Sequence, residues 1–213
     1  MGVLLPTEHA EQEKEWLLQA QQGDQQAFAK LVEAYQLAVF NLAYRMLGNP
    51  SEAEDAAQET FLRAYTRLHT CDPQRKFSSW ILAIASHYCI DRLRRRRGKD
   101  PVSLEELNSG RWLPDGKLKP EEQALRQEQS VLIQRLLGEL PADYRLVIIL
   151  RYWHDLSYEE IAQITQTTES AVKSRLHRAR QVMGEKLSAE AALQQETNSE
   201  GRRFSEHAVS AGL

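Results

Sequence analysis

Two segments of this 213-residue chain carry basic side chains whose types and spacing suit contact with a phosphate backbone. Residues 171–187 hold five lysines or arginines and one acidic residue. Residues 90–99 hold six lysines or arginines and one acidic residue. Arginine can bond a guanine edge bidentately, whereas lysine and serine more often hold phosphate. The formal net charge is −3, so these local patches, rather than the total charge, predict DNA binding at two places.

The segment 157–180 has the pattern of a helix-turn-helix. Ser157 and Glu160 predict a capping box that begins the first helix, and Thr167 or Thr168 predicts the N-cap of the second. The second helix has one apolar packing stripe, formed by Val172, Leu176, Ala179 and Met183. An ordinary amphipathic helix would also have such a stripe, but it would not need the capped partner helix beside it.

The polar side of that second helix, with its flanks, predicts contacts in a DNA major groove. Its candidate residues are Lys173, Ser174, Arg175, His177 and Arg178. Arg178 lies opposite the apolar stripe and is the best candidate for a base contact, whereas Lys173 lies on a flank and is better placed to contact phosphate.

Apolar residues recur with helical spacing along almost the whole chain, which predicts an all-α fold. Asp24 predicts the N-cap of a long helix that Gly-Asn-Pro at 48–50 ends. Ser51 with Glu54 predicts a capping box for the next helix. The buried face predicted for that helix is formed by Ala57, Phe61, Ala64, Tyr65 and Leu68.

A loop over 69–76 and a third long helix over 77–98 follow. Residues 99–120 then lose all apolar periodicity and are rich in Pro, Gly, Asn and Asp, which predicts a flexible linker between two helical domains. Helical spacing resumes at Leu125, and Pro141 predicts the first turn of a further helix. The predicted division is 1–98 for the first domain, 99–120 for the linker, 121–188 for the domain with the helix-turn-helix, and 189–213 for a frayed or disordered tail.

The sequence has no motif for a catalytic or cofactor site. A phosphate-cradling glycine loop, a nucleophile elbow and an HExxH motif are all absent from it. The alternative is a zinc site made from His69, Cys71, His87 and Cys89. Residues two apart on a helix point about 200° apart, so His87 and Cys89 cannot easily share one ion. We therefore expect no metal, no cofactor and no enzymatic activity.

The compartment is predicted from what the sequence lacks. Its two cysteines form no disulfide framework, no apolar run approaches the length of a membrane span, and the first residues do not have a signal-peptide pattern. These features predict a cytoplasmic protein without membrane insertion.

Longer stretches of the chain resemble an extracytoplasmic-function (ECF) sigma factor, a bacterial RNA polymerase initiation subunit of the sigma-70 family. In the first domain they are GDQQAFAKLVEAYQLAVFNLAYRMLGN, SEAEDAAQETFLRAYTRL and FSSWILAIASHYCIDRLRRR. In the second the stretch is LPADYRLVIILRYWHDLSYEEIAQITQTTESAVKSRLHRAR. They cover most of residues 23–98 and 125–187 in the order that the family has. The resemblance implies a protein that directs RNA polymerase core to promoter DNA and that is regulated by an anti-sigma factor.

The resemblance also implies roles for residues of the first domain. The polymerase-docking helix would use Asp55, Gln58, Glu59 and Phe61. By their charge alone the acids at 52, 54, 55 and 59 predict only a solvated face, and Phe61 suits the core as well as an interface. The loop from His69 to Ser79 would capture a flipped minus-10 base, whose flipping costs a few kcal/mol that a pocket must offset. Contacts with the minus-10 element and its backbone would come from Trp80, His87, Arg92, Arg94 and Arg95. Trp80 has the helical phase of a core residue as well.

Two positions depart from the family pattern. His87 stands where many members have Asn, and Gln166 stands where the turn of the helix-turn-helix often has Gly. A left-handed backbone at Gln166 would cost about 1 kcal/mol.

The alternative function is an operator-binding regulator, which would bind duplex DNA without polymerase and usually as a dimer.

Overall fold

A computed structural model of the chain describes the backbone of residues 7–96 and 120–210 and the side chains of residues 11–96 and 127–189. Over these residues the fold is all-helical, as the sequence predicts. The first half contains α1 (Thr7–Gln21), α2 (Gln25–Leu47), α3 (Pro50–Thr66), a 3₁₀ turn (Leu68–Thr70) and α4 (Phe77–Arg96). The second half contains α5 (Pro120–Glu139), α6 (Ala142–Tyr152), α7 (Tyr158–Ile164) and α8 (Glu169–Ser210). In these described stretches, no helix combines the length and the apolar character needed to span a bilayer.

Helix α2 is the centre of the first half, and α1, α3 and α4 pack around it. Its N-cap is Asp24, whose carboxylate accepts hydrogen bonds from the backbone of Gln26 at 2.8 Å and Ala27 at 3.2 Å. Its C-cap is Gly48, which has a left-handed φ of 79° and donates to the Tyr44 carbonyl. Both ends of the predicted helix are therefore confirmed.

Helix α3 begins two residues earlier than the sequence predicts. The N-cap is Asn49, whose side chain accepts from the backbone N–H of Glu52 at 3.1 Å, and Pro50 occupies the first turn. The prediction of Ser51 as the cap, with Glu54 closing a box, is therefore wrong. Proline has the φ that a first helical turn needs and has no N–H to satisfy, so the helix can start directly after Asn49.

Two features of the first half differ from the predictions: Tyr65 is more exposed than expected, and residues 7–21 form a helix that was not expected. Tyr65 is 48% exposed because it lies about 100° around α3 from the buried Ala64, and its ring centroid lies 5.0 Å from that of Phe28. Residues 7–21 form α1, to which the sequence interpretation assigned no element. Its Leu17 and Ala20 are buried in the core of the first half.

Helix α8 is longer than the predicted second domain. Its backbone remains helical to Ser210, through the segment for which the sequence predicts a frayed or disordered tail. Residues 189–199 are mostly alanine, glutamate, glutamine and leucine, all strong helix formers, which accounts for the continuation. The predicted linker falls mainly in residues 97–119, outside the described part of the chain.

The two halves pack directly against each other, which the sequence does not predict. Helix α2 contacts α5 and α6, and α4 contacts α6 and α7. Gln134 donates to the carbonyl of Arg45 at 3.3 Å and Arg145 donates to that of Met46, so the second half binds carbonyls that end α2. The Arg45 guanidinium lies 4.6 Å from the ring centroid of Trp153. One cluster of buried apolar residues extends through both halves.

Candidate nucleic-acid interface

Helices α7 and α8 form the predicted helix-turn-helix. The Ser157 hydroxyl accepts from the backbone of Glu160 at 3.1 Å, and the Glu160 carboxylate accepts from the backbone of Ser157 at 2.8 Å, which confirms the capping box. Thr168 is the N-cap of α8, since its hydroxyl accepts from the backbone of Ala171 at 3.2 Å. Gln166 in the turn has φ 51°, so this position is left-handed and carries the strain that the sequence raises as a possibility.

The two faces of α8 differ as the sequence predicts. Val172, Leu176 and Ala179 are at most 2% exposed and form the packing stripe. The exposed residues of the other face include Lys173, Ser174, His177 and Arg178, whereas Arg175 is half-buried. The first turns of α8 therefore present a mostly polar, basic surface while the opposite side is held by α6 and α7.

Aromatic residues of the neighbouring helices hold two cations of that surface. The Lys173 ammonium lies 5.7 Å from the ring centroid of Tyr158 on α7. Arg178 donates from Nη1 to the hydroxyl of Tyr144 on α6 at 3.3 Å, and this hydrogen bond raises the pKa of Arg178. Lys173 thus marks the α7 edge of the surface, and Arg178 marks the α6 edge.

The arginine block at the end of α4 is divided between two directions. At about 100° per residue, Arg92 and Arg96 lie on one side of the helix, and Arg94 lies about 200° around from Arg92. Arg92 and Arg96 are half-buried and Arg94 and Arg95 are exposed. The structure therefore does not bring the three predicted contacts Arg92, Arg94 and Arg95 onto one face.

Glu52 of α3 contacts the two arginines on one of these sides. Its Oε1 lies 3.3 Å from Arg92 Nη2, and its Oε2 lies 2.9 Å from Arg96 Nη1. Its side chain is only 17% exposed, so the interpretation of Glu52 as part of a solvated face is wrong. Arg92 also donates to the Tyr88 hydroxyl at 3.4 Å. Partial desolvation opposes it, but the hydrogen bonds with Tyr88 and Glu52 raise the pKa of Arg92.

Helix α1 holds the loop between α3 and α4 in place. The Gln21 amide donates to the carbonyls of Leu68 at 2.9 Å and Cys71 at 2.8 Å, and Glu13 accepts from the backbone of Phe77 at 3.3 Å. Sequence reasoning missed Gln21 and Glu13 because it assigned no helix there. The apolar spacing of the Trp-Leu-x-x-Ala at residues 16–20 is a signal that could have revealed this helix.

Trp80 and His87 follow this loop on one side of α4. Seven residues make almost two turns, so the two side chains point in nearly the same direction, about 10 Å apart along the axis. His87 is exposed, and Trp80 is half-buried with its ring centroid 5.6 Å from that of Phe77. Arg94, another seven residues on, continues the same line. The structure thus brings Trp80, His87 and Arg94 together along one face.

The candidate docking face of α3 is acidic with an apolar centre. Asp55 and Gln58 are exposed, and Glu59 is half-buried and forms an ion pair with Arg63 at 2.7 Å. Phe61 is half-buried against the core of the first half. Leu62 lies in the direction of Asp55 and is 60% exposed, although the sequence interpretation did not single it out.

The residues of the alternative zinc site are in unsuitable environments. Cys71 and Cys89 are buried, and desolvation raises the pKa of each thiol to about 12. A cysteine that binds zinc must be a thiolate, and burial disfavours that charged form. Among the described residues, no group of three or more His, Cys, Asp or Glu side chains has an arrangement that could hold a metal ion.

The second half covers part of the first beside the α3–α4 loop. Lys76, in that loop, donates to Glu160 of α7 at 2.8 Å. Although its partial burial acts the other way, hydrogen bonds with Lys76 and Ser157 lower the pKa of Glu160. Further along the contact, desolvation and the charge of Arg45 lower the pKa of His154 to about 4. The two candidate DNA-binding halves therefore touch through polar side chains as well as apolar ones.

Two family models match this sequence. The one described as Sigma-70 region 2 matches residues 31–99, and the one described as Sigma-70, region 4 matches residues 130–183. The chain is 39% identical over 180 residues to the ECF RNA polymerase sigma factor SigW of Bacillus subtilis (strain 168), an alignment that covers 82% of this chain and 96% of that protein. It is 32% identical over 182 residues to the RNA polymerase sigma-H factor of Pseudomonas aeruginosa, covering 83% and 94%.

Solved structures have a similar fold. CnrH, in a structure with the cytosolic domain of CnrY, has a TM-score of 0.61 and 26% identity over 83% of this chain and 97% of that one. The sigma factor RpoE of Bartonella quintana, in complex with the anti-sigma factor NepR, has a TM-score of 0.59 over 76% of this chain and 96% of that one. Its identity to this chain is 24%, so this second likeness concerns the fold alone.

Proposed function

Because this chain belongs to the ECF sigma factors of the sigma-70 family, we propose that its two halves divide the work of promoter recognition. The chain directs RNA polymerase core to specific promoters and initiates transcription there. We assign residues 1–98 to core binding and to recognition and melting of the minus-10 element, and residues 121–188 to the minus-35 element. Residues 99–120 serve as the linker between them, and residues 189–213 form a tail outside both.

The two-sided helix α8 supports the minus-35 assignment best. Its buried stripe fixes the helix on α6 and α7, and its other side presents Lys173, Ser174, His177 and Arg178 to solvent. A helix inserted into a major groove needs such a rigid back and such a polar front. Arg175 is half-buried at the edge and would contact the phosphate backbone rather than a base.

The exposed face of α3 supports the assignment of polymerase binding. Asp55, Gln58 and Glu59 supply carboxylate and amide groups around the exposed Leu62, which is the arrangement of a polar rim around an apolar contact. Phe61 supports this face from below, since it packs against the core. We assign Leu62 to this docking surface beside the residues that the family resemblance implies.

The loop after α3 and the line along α4 support the minus-10 assignment. The Gln21 amide holds the loop backbone at Leu68 and Cys71, which gives a flipped base a defined pocket wall. Trp80, at the start of α4, offers part of an aromatic ring for stacking, and the exposed His87 offers a hydrogen-bonding group. Stacking on an aromatic side chain is worth about 1–3 kcal/mol per base, enough to offset much of the cost of flipping.

Promoter binding must separate the two halves. The names of the two promoter elements place them about 25 base pairs apart, or roughly 85 Å of duplex at 3.4 Å per base pair. In the structure the minus-10 loop and the helix-turn-helix touch through the 2.8 Å contact of Lys76 with Glu160. We therefore propose that this arrangement belongs to the protein before promoter binding, and that the linker allows the halves to move apart.

The same proposal extends to partners and to location. We propose that an anti-sigma factor binds this chain, as NepR binds the RpoE protein of Bartonella quintana. We place the chain in the cytoplasm, where polymerase core and promoter DNA occur. Sigma factors are not enzymes, and we propose that this chain has no catalytic activity of its own.

Transcription with purified components tests the proposed function and the assignment of one promoter element to each half of the chain. The template is the DNA upstream of the gene for this chain, and core polymerase is supplied with and without the protein. We expect a transcript with a defined 5′ end only when both are present. Scrambling the minus-35 element should remove the effect of Arg178→Ala, whereas a single base change in the minus-10 element that leaves measurable transcription should not.

Variants of the docking face test core binding directly. Asp55→Asn combined with Gln58→Ala should reduce co-elution of the protein with core polymerase. The matched control is Glu33→Gln, which removes one charge from an exposed position of α2. If the wild-type protein binds the template DNA tightly by itself and core polymerase gains no promoter specificity from it, the operator-binding alternative is correct.

A further inference from the structure

Glu52 joins the polymerase-facing helix to the arginine block of α4. Its carboxylate lies within 3.3 Å of Arg92 Nη2 and within 2.9 Å of Arg96 Nη1. Its own backbone N–H donates to Asn49 at the start of α3, so the carboxylate projects from a capped and fixed first turn. One buried carboxylate thus meets two of the arginines that the sequence offers as DNA contacts.

The other two arginines of the block that the structure describes, Arg94 and Arg95, are exposed. Arg94 lies about 200° around α4 from Arg92 and so faces away from Glu52, whereas Arg95 lies only about 60° from Arg92, on the side away from Arg96. Arg94 continues the line of Trp80 and His87, the residues proposed to face the minus-10 element. The block therefore has an inner pair, Arg92 and Arg96, and an outer pair, Arg94 and Arg95.

We propose that Glu52 is a positioning residue that reserves the inner pair for the α3–α4 contact and leaves the outer pair to bind the promoter phosphates. This inference rests on the proposed function, because it takes α4 to lie along promoter DNA. It also revises one assignment within that function, since Arg92 then acts by holding α4 rather than by contacting the backbone.

The physical reason is that a phosphate contact adds to DNA affinity, and to its salt dependence, according to the charge of the side chain that makes it. Each phosphate that a cation neutralises contributes about 0.9 to the slope of log affinity against log salt concentration for duplex DNA. Arg92 and Arg96 share the Glu52 carboxylate, which compensates one of their two charges and holds both guanidiniums at α3, so each contributes much less than an arginine that contacts phosphate. Glu52 also lowers the charge of a block that would otherwise attract any duplex, so it favours promoter DNA over random DNA.

Salt dependence of DNA binding by the assembled holoenzyme tests the proposal. Core polymerase is saturated with each protein, and binding to a labelled promoter duplex and to a random duplex of equal length is measured from roughly 50 to 200 mM salt. Arg94→Ala and Arg95→Ala should each make the slope shallower by about 0.9, and Arg92→Ala should leave it close to the wild-type value. Glu52→Gln should make the slope steeper and should tighten binding to the random duplex several-fold, because it releases the inner pair.

The matched control is Glu54→Gln, which removes the same charge from an exposed position two residues away. It should behave as the wild type does if the pairing with arginine matters, and as Glu52→Gln does if only total charge matters. Thermal unfolding of each variant shows whether it folds. Should Glu52→Gln fail to fold, the comparison of Arg92→Ala with Arg94→Ala still decides, because both keep Glu52.

Two results separate failure of this inference from failure of the proposed function. If Arg92→Ala makes the slope as shallow as Arg94→Ala does, the division of the block is wrong while the sigma-factor function stands. If the wild-type holoenzyme does not prefer the promoter duplex to the random one, the proposed function itself fails.

Discussion

Arg178 on the exposed side of α8 donates a hydrogen bond to the hydroxyl of Tyr144 on α6, 3.3 Å away. The contact links the candidate recognition surface to the helix that supports it. Arg178 is exposed, so water competes with this hydrogen bond and the bond holds the guanidinium only weakly. Arg178 can therefore exchange this partner for a guanine edge, which offers two acceptors in the geometry of the guanidinium fork.

Arg178→Ala should weaken initiation most at promoters with the preferred minus-35 sequence. Loss of one bidentate base contact costs about 1–3 kcal/mol and should flatten base preference at one position. Transcription from a set of minus-35 variants measures both effects, and it avoids the weak binding expected of the second half alone.

Lys173→Ala serves as the comparison on the same helix. Lys173 carries a single ammonium rather than a bidentate guanidinium fork, so its loss should weaken all promoter sequences alike and should reduce salt dependence. If Lys173→Ala changes base preference and Arg178→Ala does not, the assignment of the two edges must be reversed.

Most local features were predictable from the sequence because their parts lie a few residues apart, although the cap of α3 was placed at Ser51 instead of Asn49. The Asp24 cap, the box of Ser157 with Glu160, and the cap at Thr168 all join groups within four positions. The helical period likewise identified the stripe on α8, because one helix contains all of its members. These features are what a recognition helix needs, so the geometry of the proposed minus-35 surface was predictable almost whole from the sequence.

Contacts between distant residues could not be read in this way. Glu52 appears solvated when α3 is considered alone, because Arg92 lies 40 positions further along the chain. The loop contacts of Gln21 span 47 and 50 positions, and the hydrogen bond of Lys76 with Glu160 spans 84. Periodicity reports which face of a helix is apolar, but it does not report which element covers that face.

Gln166→Gly should stabilise the second half. The left-handed φ of 51° costs a residue with a Cβ about 1–2 kcal/mol, and glycine avoids this cost at the expense of some unfolded-state entropy. We expect a net gain of about 0.5–1 kcal/mol in the free energy of unfolding, measured by denaturant titration. Gln163→Gly, at an exposed position inside α7, should instead lose about 1 kcal/mol. Equal effects of the two substitutions would contradict the role of the left-handed turn.

His154 should make the folded protein less stable in mild acid. Burial and Arg45 lower its pKa to about 4 in the folded state from 6.5, so the folded protein holds the neutral imidazole. The unfolded chain binds the proton first, and stability is therefore unaffected above pH 6.5 and falls as the pH drops from 6.5 towards 4. The loss attributable to this group should be about 2 kcal/mol at pH 5.

Urea unfolding at pH 7.5 and pH 5 measures this loss in the wild type and in two variants. His154→Asn should lose less stability than the wild type between these conditions. His177→Asn, at an exposed position of α8, should lose as much as the wild type. A His154→Asn variant with the full wild-type pH dependence would show that the imidazole is not responsible.

Mild proteolysis should cut the free protein first between residues 99 and 120. Trypsin has sites there at Lys99, Arg111 and Lys117, whereas the backbone of residues 25–47 is hydrogen-bonded in α2 at the centre of the first half. A protease needs an extended and accessible backbone, so the helices should resist it longer. Mass spectrometry should identify two fragments, and circular dichroism of the nicked protein should retain most of its helical signal. Earlier cutting within residues 24–47 would contradict the division into two helical domains, because it would require the core around α2 to open before the linker is reached.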